Sequence, residues 1–330
     1  MRARAERIAD EVLFPAAQAV DRADRVPASH LDLLAEQGFY GVAAPVDEGG
    51  LGIDDFATAG HLVSTFAGGC LATAFVWIQH HGPVLAAAFS SQPGVREKWL
   101  APLAGGQRRG GIARAGARPG ASGLRVRQTP QGWQLDGQVP WVTGWDLIDV
   151  VHVAALDDEG MVRFLLVDAV ESATLQAQVH DLSAARASRT ATLTFTGHDV
   201  PADRFTGAEP YDAWAASEAS GSSLNGFLAL GVAGRCLRLL GDAPLVPGLA
   251  AELAACRAAL LAADALATPP ARAAASELAM RCATALAVQT GSRSVLPDSP
   301  ASRLIREAGF LLVFGTRPAI RDSLLALFAR

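Results

Sequence analysis

The spacing of hydrophobic residues divides the chain into three parts. Up to residue 109, apolar positions recur every three or four residues, as between Ile8 and Val20, which is typical of amphipathic helices. From residue 110 to about residue 208, short runs alternate apolar with polar residues and end at Gly, Asp or Pro, which predicts strands. After Glu209, leucine at helical spacing in alanine-rich sequence predicts helices again.

This pattern predicts an α+β fold: an N-terminal helical domain, a middle β domain built as a small barrel or sandwich, and a C-terminal bundle of four helices. The chain has 330 residues and is 50% hydrophobic, so it can bury a large core. The predicted domains are residues 1–109, 110–208 and 209–330; the predicted strands are residues 124–128, 133–142, 149–155, 162–167 and 191–195; and the predicted bundle helices are residues 211–240, 247–267, 270–292 and 301–330.

Composition narrows the classes of partner. The net charge is −5, Lys98 is the only lysine, and the arginines form no basic tract, so nucleic acid is not an expected partner. The amino terminus, MRARAERIADEVLFPAA, lacks a signal-peptide core, and no run of 18 apolar residues occurs, which predicts a cytoplasmic protein that does not span a membrane. Four widely spaced cysteines form no C-x-x-C pair, which predicts neither a metal site nor disulfides: Cys70, Cys236, Cys256 and Cys282.

The stretch GWQLDGQVPWVTGWDLID, residues 132–149, combines several local signals. Asp136-Gly137 is typical of a type I′ turn between two strands, and the second run ends on Trp141-Val142-Thr143-Gly144. An indole face can support an aromatic ligand, and a threonine two positions along a strand points to the same side and can make one hydrogen bond. Taken alone, this spacing favours a core tryptophan beside a surface threonine over such a ligand platform.

Three segments resemble the acyl-CoA dehydrogenase family. The run DGQVPWVTG is similar to its Trp-Ile-Thr signature, GFYGVAAPVDEGGLGIDD to its glycine-rich turn, and the last helices to its carboxyl end. The resemblance implies the same three-part fold, FAD as cofactor, an acyl-CoA or other small-molecule substrate, and a homodimer or tetramer assembled through the C-terminal bundle. It does not identify the electron acceptor, and a hetero-oligomer stays open as an alternative.

The resemblance also implies which positions contact FAD. Trp141 would lie against the flavin, the Thr143 hydroxyl would meet flavin N5, and the start of the β domain would offer backbone groups. Arg114 or Arg118 is a candidate for meeting phosphate directly, with a solvated loop arginine as the alternative. The positions that match the family's FAD contacts are Trp141, Thr143, Ile112, Ala113, Arg114, Gln289, Gly315 and Thr316.

The catalytic positions depart from the family's pattern. The family's glutamate base directly precedes Gly-Thr, where this chain has Phe314, which cannot take a proton. A subset of the family places the base at the position of Gly221 or Ser222 here. Glu218 is the nearest substitute carboxylate, although a solvated side chain is the favoured interpretation. The Arg-x-x-Phe-Gly motif that reaches a neighbouring FAD is missing.

Two adjacent histidines, His80 and His81, lie on a predicted helix of the first domain. Flavin monooxygenases with this fold use a histidine from this helix, so one of the two is a candidate catalytic residue; a structural histidine with its hydrogen bonds satisfied is the favoured interpretation.

Three hypotheses follow: an FAD-dependent oxidoreductase acting on an acyl thioester with an unassigned base, a flavin monooxygenase, and a non-catalytic partner subunit.

Overall fold

Helices at both ends of the chain enclose a mixed β-sheet. The computed structural model describes residues 1–53, 55–118, 123–220 and 222–329. The N-terminal helices are α1 (Arg2–Arg7), a π-helical segment (Ile8–Leu13), α2 (Phe14–Arg22), α3 (Ala28–Glu36), α4 (Phe56–Gly69), α5 (Leu71–Ala88) and α6 (Pro93–Ala104). The strands are β1 (Gly110–Ala113), β2 (Arg125–Thr129), β3 (Gly132–Val142), β4 (Val150–Leu156), β5 (Met161–Asp168), β6 (Leu175–Val179), β7 (Ala191–Pro201) and β8 (Phe205–Pro210). The C-terminal helices are α7 (Tyr211–Ser220), α8 (Gly226–Leu240), α9 (Val246–Ala262), α10 (Thr268–Thr290), α11 (Pro300–Val313) and α12 (Pro318–Phe328).

The sheet has the strand order β6-β7-β3-β2-β4-β5-β8, with β1 pairing parallel to β4 beside this path. The five predicted strands correspond to β2, β3, β4, β5 and β7, and the predicted α+β fold class is confirmed. Strands β1, β6 and β8 were not predicted; among the described residues β1 pairs only with β4, and β6 and β8 pair with β7 and β5 at the two ends of this order. Because an edge strand has one partner only, its hydrophobic pattern is weaker.

Helix α5 connects the helical core to the β domain. One large core is shared by the N-terminal helices and the C-terminal bundle, and includes Phe66, Phe75 and Phe227. At its other end α5 packs on the sheet, where Val84 belongs to a cluster with Val150 and Leu166. A second core lies within the sheet itself. The elements that carry the predicted site are therefore positioned by contacts with this one helix.

Two predicted helices are each divided in the structure. The helix predicted over residues 211–240 is wrong as one element, because α7 ends at Ser220 and α8 begins at Gly226. The last predicted helix, residues 301–330, is also two helices. Gly315 has φ +57° and ends the first, and Pro318, which lacks a backbone N–H, begins the second.

The predicted turn at Asp136-Gly137 is also wrong. Strand β3 runs through both residues and pairs with β2 on one side and β7 on the other. Gly137 has φ +116° and coincides with a shift in the pairing register to β7. A positive φ at glycine can form a bulge within a strand as readily as a turn, and the flanking pairing decides which one forms.

All four cysteines are free, three of them buried and Cys256 partly exposed. Within the described residues, no cluster of three or more His, Cys, Asp or Glu side chains has the arrangement of a metal site. No helix in this part of the chain is long and apolar enough to cross a membrane.

Candidate active site

Strand β3 ends on an exposed tryptophan next to a buried threonine. The pairing of β3 with β7 shifts register between Val139 and Val142, and Trp141 within this bulge has φ +63°. Trp141 is 64% exposed, whereas Thr143 is 3% exposed. The interpretation as a core tryptophan beside a surface threonine is therefore wrong. So is the expectation that both side chains point to one side, because the bulge breaks the alternation of the strand.

The chain after Trp141 pairs with a second loop, residues 185–190. Gly144 N donates to Ser188 O at 2.9 Å, and Trp145 N donates to Arg189 O at 3.0 Å. The Thr143 and Thr190 hydroxyls lie 3.1 Å apart. The Arg189 guanidinium forms an ion pair with Asp146. This second loop was not recognised from the sequence, because its role depends on pairing across about 45 residues of chain.

Backbone strain is concentrated in these two loops. Within the described residues, the non-glycine residues with positive φ are Trp141, Asp146, Ala185 and Arg189. A non-glycine residue in this region costs on the order of 1–3 kcal/mol, and such residues cluster at functional sites. The paired loops thus have the property of a preorganised site, and Trp141 is its most exposed aromatic residue.

His180 supports the Trp141 indole. The two ring centroids are 5.2 Å apart, with an angle of 41° between the planes. The other side of His180 is fixed, since its Nε2 lies 3.0 Å from the Thr192 hydroxyl. The indole therefore has a partner within the protein and still exposes a large surface to an incoming ligand. The sequence contains no local signal for His180, which follows β6 without a recognisable motif.

Strand β1 places Ile112, Ala113 and Arg114 against α5. A Cβ atom on Gly82 would lie 2.4 Å from Ile112 Cγ2, so only glycine allows this approach. Ala113 is buried and pairs with Val153 of β4. The Arg114 side chain is 41% exposed and lies 3.6 Å from Glu218. The start of the β domain is therefore positioned at the junction of the sheet, α5 and α7.

His80 is a structural residue. Its Nδ1 accepts a hydrogen bond from Gly110 N at 2.9 Å, and its Nε2 donates to Leu103 O at 3.0 Å. Both contacts require a neutral ring, and burial lowers the pKa of His80 well below its usual value. This histidine joins α5, α6 and β1 and has no free nitrogen for a reaction. His80 is therefore a structural histidine with both ring nitrogens hydrogen-bonded, and not a catalytic residue.

His81 is buried without a hydrogen-bond partner in the described part of the chain. Its ring packs edge-on against Trp77, with centroids 4.7 Å apart. Burial lowers the pKa of His81 to about 3. A histidine in this setting stays neutral near pH 7 and contributes to packing.

His81 should make the fold sensitive to acid. Its folded pKa is depressed, so the unfolded chain takes up a proton as pH falls below 6.5 while the folded protein does not. Stability is therefore present above pH 6.5 and is lost as pH falls toward 3. Between pH 8 and pH 5 we expect the free energy of unfolding to fall by about 2 kcal/mol more in the wild type than in His81→Leu. Urea unfolding at both pH values measures this difference, and equal losses would contradict the assignment.

Phe314 occupies the position of the family's base within an aromatic cluster. Its ring packs against Phe75 of α5 at 4.7 Å and against Phe310 of α11 at 5.7 Å. The next residue of α5, Val76, lies 3.6 Å from where a Cβ of Gly144 would be. Two adjacent residues of α5 thus bring the Phe314 loop and the end of the Trp141 strand close together. The Phe314 loop and the residues after Trp141 therefore lie near the same part of α5.

The Gly315 and Thr316 loop is held by a buried arginine. Arg272, which is 4% exposed, donates to Phe314 O at 3.1 Å and Gly315 O at 3.3 Å. Burial, together with the positive charge of Arg317, lowers the pKa of Arg272 to about 10. The Thr316 hydroxyl donates to Val313 O at 2.8 Å and so caps α11.

Gln289 does not reach this site within one chain. It lies at the carboxyl end of α10, where its Nε2 donates to Leu240 O at 3.2 Å. Arg272, which contacts the Gly315 loop, is at the other end of the same helix, about 25 Å away along its axis. The structure therefore separates Gln289 from Gly315 and Thr316, which the sequence grouped together.

Glu218 lies among three arginines. Its Oε2 accepts from Arg118 at 2.7 Å and from Arg317 at 2.8 Å, and Arg114 lies 3.6 Å from Oε1. The interpretation as a solvated glutamate is wrong, because the side chain is only 15% exposed. Burial by itself would raise the pKa of Glu218, but the hydrogen bond from Arg118 and the charges of Arg317 and Arg114 outweigh it and lower the pKa. This is the opposite of the raised pKa that a carboxylate base needs near neutral pH.

The residues present fit a flavin ring in part. The segments that follow Trp141, form β1 and precede Gly315 each contact α5, and the Trp141 indole is exposed between the strained loops. The fit is weaker at Thr143, whose hydroxyl is buried beside Thr190, and at Gln289, which lies at the other end of α10.

Gly221, one of the two alternative base positions, lies outside the described residues; Ser222, the other, is described and has no carboxyl group.

The structure consists of N-terminal helices, a middle β domain and C-terminal helices, and α5 contacts all three parts. This arrangement is the fold of the acyl-CoA dehydrogenases. The structure superposes on a glutaryl-coenzyme A dehydrogenase in complex with glutaryl-CoA (TM-score 0.87, 18% identity, 99% of this chain and 93% of the other). It also superposes on butyryl-CoA dehydrogenase from Megasphaera elsdenii (TM-score 0.84, 18% identity, 100% and 97%). An FAD complex of PigA has the same fold (TM-score 0.83, 16% identity, 99% and 96%).

Sequence comparison finds one domain match and several related dehydrogenases. Residues 1–107 match the model of the acyl-CoA dehydrogenase N-terminal domain. The short-chain specific acyl-CoA dehydrogenase of Bos taurus mitochondria is 28% identical over 212 residues, which are 60% of this chain and 50% of that protein. Benzylmalonyl-CoA dehydrogenase of Aromatoleum aromaticum is 27% identical over 204 residues, 59% and 53% of the two chains. The amino-terminal third of the chain thus carries an acyl-CoA dehydrogenase N-terminal domain, and the chain spans about half the length of the curated relatives it matches.

Proposed function

We propose that the chain is an FAD-dependent oxidoreductase that acts on an acyl thioester. The observation that carries this proposal is Trp141, an aromatic residue 64% exposed, held at positive φ between two strained loops. An exposed and strained indole costs stability, and a ligand that stacks on it repays that cost. The relatives that act on CoA thioesters and the FAD complex of the same fold support this choice of cofactor and substrate class.

The chain's own residues would hold the flavin ring. Trp141 would cover one face, backbone groups of Ile112, Ala113 and Arg114 would meet one edge, and Gly315 and Thr316 would approach from the bundle. The Thr143 hydroxyl could still form a hydrogen bond to the flavin. A hydroxyl has one donor and two acceptor sites, and the contact with Thr190 occupies only one of these three. When bound, the flavin would supply a two-electron acceptor that receives hydride at N5.

The base is not assigned. Phe314 carries no titratable proton, and the three arginines hold Glu218 in its ionised form. These two observations favour, as a second candidate, a non-catalytic partner subunit that keeps the fold for assembly. The monooxygenase alternative relied on a histidine of α5, and neither one supports it: His80 has both nitrogens bonded, and His81 packs against Trp77.

A homodimer would complete the proposed site. Gln289 and the Gly315 loop lie at opposite ends of α10, so a second copy could bring its Gln289 to a cofactor held by the first. The C-terminal helices offer apolar surface for such a contact. Val288, Leu325 and Phe328 are 76%, 60% and 59% exposed, respectively. Exposed apolar residues in this number are typical of an association surface.

The visible absorption spectrum tests the proposal. After incubation with FAD and gel filtration, we expect flavin bands at near unit stoichiometry, and bleaching by at least one member of a panel of acyl-CoAs under anaerobic conditions. Retained flavin without bleaching would favour the non-catalytic subunit. A protein that stays colourless would refute the flavin-dependent function altogether.

A further inference from the structure

Three arginine side chains lie around one carboxylate beside the proposed active site, and a fourth arginine holds the neighbouring loop. Arg118 and Arg317 donate to Glu218 Oε2 at 2.7 and 2.8 Å, and Arg114 is 3.6 Å from Oε1. The fourth, Arg272, contacts only the backbone carbonyls of the Phe314–Gly315 loop. Arginines from the β domain and from the bundle thus meet at a single glutamate, which comes from α7.

The cluster carries more positive than negative charge. Burial, together with the charge of Arg118, lowers the pKa of Arg317, and burial with the charge of Arg317 lowers that of Arg272, so the guanidiniums repel one another. The Nε atoms of Arg114 and Arg118 are buried and have no partner among the described residues. A structural link between two domains needs one arginine per carboxylate, because extra buried charge costs free energy. Three guanidiniums facing one carboxylate therefore leave positive charge and N–H donors that Glu218 does not use.

Part of the cluster is accessible from solvent. The side chains of Arg114 and Arg118 are 41% and 34% exposed, whereas that of Arg317 is 17% exposed. A surface cavity of about 280 Å³ lies beside Arg118, and Arg125 and Tyr211 also line it. Guanidinium groups bind carboxylate and phosphate oxygens through paired N–H donors, which an acyl chain could not use.

We propose that Arg114, Arg118 and Arg317 bind an anionic oxygen group, a carboxylate or a phosphate, of a ligand that enters beside Glu218. Glu218 holds the three guanidiniums together before the ligand arrives. This inference rests on the proposed function: a bound carboxylate would belong to an acyl substrate with an acidic group besides its thioester, and a bound phosphate to a nucleotide part of the substrate or cofactor. The anion site itself requires no flavin.

Isothermal titration of the flavin-free chain with glutarate, and separately with pyrophosphate, at constant ionic strength tests the site. We expect saturable binding of one or both anions to the wild type. Arg118→Gln should weaken it about tenfold, because it removes one charge-assisted contact. Arg127→Gln is the matched control, since Arg127 lies exposed on β2 and contacts Gln134, away from the cluster. Glu218→Gln should tighten binding, because it removes the competing carboxylate.

The two anions distinguish the source of the group. Tighter binding of glutarate assigns the site to an acidic acyl group, and tighter binding of pyrophosphate assigns it to the phosphates of a nucleotide; either outcome supports an anion site. Absence of saturable binding in both the wild type and Glu218→Gln would overturn the proposal, as would equal affinities of Arg118→Gln and Arg127→Gln. Since no flavin is used, this failure is separate from that of the proposed function.

Discussion

Replacing Trp141 with glycine is expected to weaken FAD binding by about fivefold to 150-fold while changing the free energy of unfolding by less than about 0.5 kcal/mol. The loss of affinity follows from the loss of an aromatic face, and stacking on such a face is worth about 1–3 kcal/mol. The small change in stability follows from two opposed effects. Glycine relieves the strain at φ +63°, and the contact with His180 is lost.

Trp141→Phe is the matched control, because it keeps an aromatic face at the same backbone position. It should retain most of the affinity that the glycine variant loses. Flavin fluorescence titration gives the two dissociation constants, and urea unfolding gives the stability of each variant without flavin. Equal FAD affinity in the wild type and Trp141→Gly would remove the main support for the proposed site.

A pair of glycines on α8 should respond in opposite directions to alanine substitution. A Cβ at Gly231 would lie 2.3 Å from Ser64 O and 2.9 Å from Gly68 N, both backbone atoms of α4. At Gly234, one turn later, the nearest atom is Leu253 Cδ2 at 3.8 Å, an ordinary contact. Gly231→Ala must separate α4 from α8, which costs about 1–3 kcal/mol or more. Gly234→Ala should gain about 0.5–1 kcal/mol from helix propensity.

Thermal or urea unfolding measures the difference in the free energy of unfolding between the two variants. Each variant is a control for the other, because both carry the same substitution on the same helix. Similar stabilities for the two variants would mean that α4 and α8 are not packed as closely as the structure shows. The pair therefore tests how the N-terminal helices join the bundle.

Much of the fold follows from local sequence. Apolar periodicity predicted the helical ends and five strands, because the spacing of side chains on a helix or strand is a property of that element alone. The glycine-rich turn was also predicted from local sequence. Gly49 has φ +86°, and a Cβ at Gly50 would lie 1.9 Å from Ala44 O, so only glycine fits. The breaks at Ser220 and Gly315 were missed, because apolar residues recur at helical spacing on both sides of each break.

The site was predictable as a set of positions and not as an arrangement. Trp141, Ile112 and Gly315 were identified by resemblance, and the structure brings their segments to α5. The environments of these residues could not be predicted from the sequence. The exposure of Trp141 depends on a bulge set by pairing with β7, and the support of its indole comes from His180 on another loop.

By itself, the sequence determined the three-part order of elements, the fold class and the loss of the family's base at Phe314, because each of these is written in residue type and spacing. Only the tertiary structure decided that Glu218 is an ionised partner of three arginines, that His80 is fully bonded, and that Gln289 lies far from Gly315. The physical reason is common to all three. The charge state and role of a side chain depend on the dielectric environment and on partners far along the chain, and neither is encoded in its neighbours in sequence.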